Sequence, residues 1–324
     1  MASGTWERGG LLDVLGNWGW PTAPNGTFFT PWAVVNPATR KVVLWFNAYM
    51  DGCCVGNWGV ASSDDGVVFA LHTMNETASL PGAVDCNALF VDRDGTGYVA
   101  FTAEKPGPGL SNHRVAIERL TPDFLHTTKV QVGPLLPHDY VEGPMLWRRK
   151  DTYYVSYGSC CCFCRGGSGY VVLTAPSIEG PWTPQAEDAN CVAGSAANTS
   201  VCGVYGADGK LTPFGRPELN GKLTVAAQGI GLSIIPSPDP SAEPTFLWHG
   251  ERWLSAPGSN PKCPDECRAP TGDCAEPASY IKGEDFMYWI PLEFDEKGAV
   301  LPLAPFVDEF TIQLPTATLG PLAF

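Results

Sequence analysis

Short apolar runs, each bounded by Gly, Pro, Asn or Asp, recur along this chain and alternate with charged turns. One such unit is Trp32-Ala33-Val34-Val35, a polar turn over residues 36–41, Val42-Val43-Leu44-Trp45-Phe46, and then Trp58-Gly59-Val60-Ala61. Runs of this length and composition read as strands. No long stretch places apolar residues at i, i+3, i+4 and i+7, so helices are not expected. The unit repeats with a period of roughly 55 residues and four strands each, the sequence form of propeller blades, which bury their faces by stacking. Blades are expected near 33–75, 85–127, 142–184 and 222–295, with long insertions over 184–220 and 257–280. Gly4-Thr5-Trp6-Glu7-Arg8 reads as the outer end of a further blade whose start is missing. The expected fold is therefore all-β, a five-bladed β-propeller type lacking most of its first blade. One propeller domain spans 1–305, and 306–324 form a C-terminal tail.

Composition narrows the setting. The chain has 324 residues, of which 44% are hydrophobic, enough for a large core. Its net charge of −14 repels phosphate backbones and anionic lipid, so nucleic acid and membrane are not expected partners. Neutral polymers remain compatible, and a monomer is expected. Twelve cysteines, three of them in the Pro- and Asp-rich stretch at Cys263, Cys267 and Cys274, point to disulfides and an oxidising compartment. Their spacing is irregular and no His pair lies nearby, which argues against zinc. No cofactor is expected, and a structural calcium is not indicated. Sequons at Asn25, Asn75 and Asn198 agree with passage through the secretory pathway, although Met1–Gly10 carries no apolar signal region.

Two carboxylates occupy matching places in successive units. Asp85 opens Asp85-Cys86-Asn87-Ala88-Leu89-Phe90, before the turn Asp92-Arg93-Asp94-Gly95. Glu142 opens Glu142-Gly143-Pro144-Met145-Leu146-Trp147, before a polar turn and Tyr153-Tyr154-Val155-Ser156-Tyr157. A repeat that sets one acid at the same end of successive hairpins can aim both at a common centre. Two acids facing one cleft are what cleavage of a glycosidic bond requires.

These stretches resemble glycoside hydrolase family 43, whose fold is a five-bladed propeller. Asp85 precedes the Phe90-Val91-Asp92-Arg93-Asp94-Gly95 hairpin as the family's Asp does, and Glu142-Gly143-Pro144 matches its Glu-Gly-Pro segment. Trp248-His249-Gly250-Glu251-Arg252-Trp253 and Tyr288-Trp289-Ile290-Pro291-Leu292 are similar to paired motifs of its exo-β-1,3-galactanase subgroup. The resemblance implies a secreted hydrolase of β-1,3-galactan or arabinogalactan-type polysaccharide, exo-acting with inversion. An arabinofuranosidase, a β-xylosidase or a non-catalytic carbohydrate-binding propeller are the alternatives. Val84 and Val141 stand where the subgroup carries arginines.

The resemblance assigns roles. Glu142 is the expected general acid, which must hold its proton near neutral pH, and the apolar Pro144, Met145 and Trp147 beside it would desolvate it. Asp85 is expected to raise the affinity of Glu142 for its proton by like-charge repulsion. Gln228 falls where the subgroup carries a glutamine proposed to hold the attacking water, through its imidic-acid form. Trp32, Trp58, Trp147 and Tyr157 are candidate sugar platforms, Arg252 a candidate for pairing with an acid or a sugar hydroxyl, and Glu104 a further candidate contact.

Overall fold

The computed structural model describes residues 27–49, 56–80, 84–104, 113–138, 141–159, 169–185, 203–205, 211–213, 225, 227–253, 255, 286–303 and 307–314. Of residues 27, 49, 56, 84–87, 104, 159, 203–205 and 211–213 only the backbone is described. Every regular element among them is a strand.

Four antiparallel sheets follow one another along the chain. Sheet 1 holds β1 (Thr27–Val35), β2 (Val42–Tyr49), β3 (Gly56–Ser63) and β4 (Ala70–Glu76). Sheet 2 holds β5 (Val84–Val91), β6 (Gly97–Glu104), β7 (His113–Leu120) and β8 (Thr127–Gln131). Sheet 3 holds β9 (Val141–Arg149), β10 (Thr152–Ser159), β11 (Val171–Ala175) and β12 (Thr183–Pro184). A separate pair, β13 (Gly203–Tyr205) and β14 (Leu211–Pro213), precedes sheet 4. Sheet 4 has three strands, β15 (Gln228–Ile235), β16 (Thr245–Arg252) and β17 (Phe286–Pro291). Each sheet is a meander whose neighbours in sequence are neighbours in space. The first strands pack in succession, β1 on β5, β5 on β9 and β9 on β15, so they form the inner rim.

The middle strands of sheets 2 and 3 are apolar on both faces because each of these sheets lies between two others. In β10, Tyr153, Val155 and Tyr157 join the cluster shared with sheet 2, while Tyr154 joins the one shared with sheet 4. In β2, Val43 and Trp45 pack toward sheet 2, and Leu44, Phe46 and Ala48 form a cluster within sheet 1 alone. Three clusters therefore join sheets 1–2, 2–3 and 3–4. The face of sheet 4 turned from sheet 3 leaves Met287 and Trp289 exposed. Trp32, half-buried on β1, touches all three shared clusters, which places it where the first strands converge. The expected five-bladed arrangement is thus met as four blades. Beyond the two-stranded β13–β14 pair, no further sheet occurs among the described residues, and Gly4–Arg8 and the tail from 315 lie outside them.

The hairpin turns at one end of the sheets tie neighbours together. Asp92, following β5, accepts hydrogen bonds from Tyr153 Oη (2.5 Å) and Arg148 Nη1 (2.8 Å) of sheet 3. Arg149 of sheet 3 donates to Glu243 of sheet 4 at 2.7 Å and lies over the Phe294 ring. In sheet 1, the side chain of Asn36 accepts from Ala38 and Thr39 N–H to shape its own turn, and donates to the Pro122 carbonyl of sheet 2. Burial alone would raise the Asp92 carboxyl, but the bonds from Tyr153 and Arg148 outweigh it and hold Asp92 below its ordinary value. Burial and Asp92 together push the Tyr153 phenol up to about 12.

Candidate active site

At the opposite end, every first strand breaks register soon after it begins. In β9, Glu142 faces Gly158 and Met145 faces Ser156, so Gly143 and Pro144 together oppose Tyr157. In β1, Thr30 and Pro31 together oppose Phe46 in the same way. In β5 the extra residue is Cys86, directly after Asp85, and in β15 it is Ile230. A bulge bends its strand and re-aims the side chains beside it. Asp85 and Glu142 are each the second residue of a first strand and each directly precede the bulge, so the repeat sets them in equivalent places.

Residue types at these bulges follow from backbone needs. Gly143 has φ of +66°, and a Cβ there would come within 2.8 Å of the Gly229 carbonyl oxygen. Only glycine meets both conditions without strain. Pro144 and Pro31 sit where no ladder N–H is required. Gly229 allows the approach from the other side, since a Cβ there would meet Met145 Cε at 2.6 Å and Trp248 Nε1 at 2.9 Å. Two glycines therefore let β9 and β15 close on each other, which brings Gln228 beside Glu142.

Glu142 is buried, at 2% exposure, and Gln228 at 3%. The Gln228 amide Nε2 donates to Glu142 Oε1 at 2.6 Å. Trp253, also buried, donates its indole N–H to Gln228 Oε1 at 2.5 Å. This chain of contacts crosses from sheet 3 into sheet 4. An indole nitrogen only donates, so the oxygen end of the amide must face Trp253 and the N–H end must face the carboxylate.

The expected roles divide on this geometry. A water-holding Gln228 needs about 6.5–9.5 Å between it and the acid, with a sugar between them. Direct contact at 2.6 Å leaves no such gap, and both ends of the amide are engaged within the protein. Trp147 and Tyr157 are fully buried and do not offer a ring to a sugar, because the stacked sheets cover both faces of β9 and β10. Trp147 stacks on Tyr154 at 5.2 Å, and Tyr157 lies 2.7 Å from His138 Nδ1. Burial pushes the Tyr157 phenol well above its ordinary value, against the pull of the Arg114 charge. Trp58 is likewise core, packed on Trp45 and Phe101. Trp32 is half-buried at the convergence of the first strands. Arg252 ends β16 opposite Phe286, half-buried, one residue before Trp253. The backbones of Asp85 and Glu104 lie opposite Thr102 and His113, and their side chains are outside the described residues. Eleven of the twelve cysteines also lie outside them, and of Cys86 only the backbone is described.

Trp253 and His138 were not singled out from sequence. Trp253 stood in an aromatic stretch typical of core, and its partner Gln228 is 25 residues away with only a cross-strand register linking the two. His138 lies in an irregular linker with no motif around it. Among the described residues, no group of three or more His, Cys, Asp or Glu is placed to hold a metal ion.

No family model matches the sequence, and no curated protein matches it. Solved structures do. A glycoside hydrolase family 43 β-1,3-galactosidase with bound galactodeoxynojirimycin superposes with a TM-score of 0.57 at 17% identity, over 89% of this chain and 78% of its own. An exo-β-1,3-galactanase from Clostridium thermocellum gives a TM-score of 0.58 at 16% identity, over 89% and 54%. One from Phanerochaete chrysosporium with galactose gives 0.55 at 16% identity, over 86% and 49%. The present chain thus spans about half the length of the last two. At these identities the likeness shows the fold, a β-propeller of the kind these hydrolases have.

Proposed function

We propose that this protein is a glycoside hydrolase of β-1,3-galactan or arabinogalactan-type polysaccharide, acting from the chain end with inversion. The observation that carries the proposal is the placement of Glu142. It is a buried carboxyl at the bulged start of an inner strand, held from the next blade, in a propeller like those of family 43 galactanases.

In this reading Glu142 protonates the leaving oxygen of the glycosidic bond. Asp85, in the equivalent place on β5, supplies the neighbouring charge that favours the protonated acid. Gln228 holds the acid in position. Inversion requires a water on the face of the sugar opposite Glu142, held by a group other than Gln228 in its present contacts. Trp32, half-buried at the convergence of the first strands, is the platform on which the sugar rests.

The test is the product released from a panel of β-1,3-galactan, arabinan and xylan, with the first-formed anomer followed by proton NMR. Galactose appearing first as the α-anomer is expected. Release of arabinose or xylose moves the activity to another sugar on the same fold, and binding to galactan without any product overturns hydrolysis.

A further inference from the structure

We propose that Trp253 is a positioning residue for Glu142. Its indole N–H sets which way round the Gln228 amide sits, and the amide sets which carboxyl oxygen of Glu142 carries the transferable proton. The inference rests on Glu142 being the proton donor, and deepens that reading by assigning the proton to one atom.

An amide side chain can be turned end for end with little change in shape, so packing alone does not orient Gln228. The two neighbours decide it. Trp253 Nε1 can only donate, and it lies 2.5 Å from Gln228 Oε1. The amide nitrogen is thereby turned to Glu142 and donates to Oε1 at 2.6 Å. An oxygen already accepting a short bond from a fixed N–H is the carbonyl-like oxygen of a protonated carboxyl. The proton handed to the leaving group therefore sits on Oε2. Without the indole N–H, the amide is free to turn and to present its oxygen to Glu142. A carbonyl oxygen facing the carboxyl accepts a hydrogen bond from its O–H, which favours the protonated form.

At the bulged end of the elements packed around β9 and β15, the other titratable groups are Asp85 on β5, Glu104 on β6, His113 and Arg114 on β7, Tyr157 on β10, and His249, Glu251 and Arg252 on β16. All are retained when only Trp253 is changed, so a difference between variants reports the N–H. Trp253 is 5% exposed and packed, so a truncated side chain can disturb the fold. Two substitutions are therefore paired: Trp253→Phe, and replacement of Trp253 by 3-benzothienylalanine, which keeps the two-ring shape and puts sulfur in place of N–H.

The carboxyl of Glu142 is titrated in each protein by difference infrared spectroscopy, its band assigned by loss in Glu142→Gln. The benzothienyl protein is expected to titrate about one pH unit above the parent, a roughly tenfold rise in proton affinity. The basic limb of kcat/KM on galactan should move with it. An unchanged midpoint in the benzothienyl protein overturns the proposal, as does a fall in activity with no movement of the pH profile. The infrared arm needs no turnover. A chain that shows the shift but cleaves nothing would refute the hydrolase reading and leave the orienting contact intact.

Discussion

The two ends of these sheets are held in different ways. At the turn end, charged and phenolic side chains of successive hairpins reach across to the next sheet, as Asp92 does to Arg148 and Tyr153, and Arg149 to Glu243. There the first strands keep regular register with their second strands. At the other end each first strand carries an extra residue, and the groups brought together across sheets 3 and 4 are buried and polar, Glu142, Gln228 and Trp253. Regular pairing with bonds at the rim suits stability. Broken pairing aims side chains at a shared centre, and needs special backbone conformations to do so.

Substitutions can break this contrast from either end. The largest effect is expected from Gly143→Ala, which forces a side chain into φ of +66° and against the Gly229 oxygen. A loss of about 2–4 kcal/mol is expected in urea unfolding, with activity falling more steeply than stability, because the β9–β15 approach also seats Gln228. Asp92→Ala removes the acceptor of two bonds, leaving the Tyr153 hydroxyl without it and Arg148 with only Lys150 and Asp151, for an expected loss of about 1–3 kcal/mol with kcat unchanged in the folded fraction.

The same carboxyl gives a pH signature. The folded value of Asp92 lies below the unfolded one. Its stabilisation is therefore complete above the unfolded value of about 3.9 and is lost as pH falls through the folded value. Asp92→Asn should flatten the acid side of a plot of melting temperature against pH, and an unaltered plot would contradict a stabilising role for the Asp92 carboxylate. Arg149→Ala should matter least, about 0.5–1 kcal/mol, because its partner Glu243 is 43% exposed and solvent screens the pair.

Much of the architecture was legible in the chain. Apolar runs of strand length between Gly- and Asp-bearing turns announce an all-β repeat, and the recurrence of an acid before such a run set Asp85 and Glu142 in equivalent places. The bulges were not legible, because an extra residue is defined only against the strand it pairs with. Aromatic side chains misled for a related reason. In stacked sheets both faces of a strand are covered, so nothing in the local pattern separates a buried Trp147 or Tyr157 from a half-exposed Trp32. The contact of Gln228 with Glu142 depends on two glycines from different sheets meeting, and a single sequence carries no sign of that pairing.

In the proposed reaction, Glu142 donates the proton that lets the glycosidic oxygen leave. Comparing Glu142→Gln with the parent on two substrates that differ in their need for a proton isolates this role. Hydrolysis of β-1,3-galactan should fall by about 10²–10⁴-fold. Hydrolysis of a dinitrophenyl β-galactoside, whose leaving group departs as a stable anion, should stay close to the parent rate. Equal losses on both substrates, or undiminished release of galactose from galactan, would contradict the role given to Glu142.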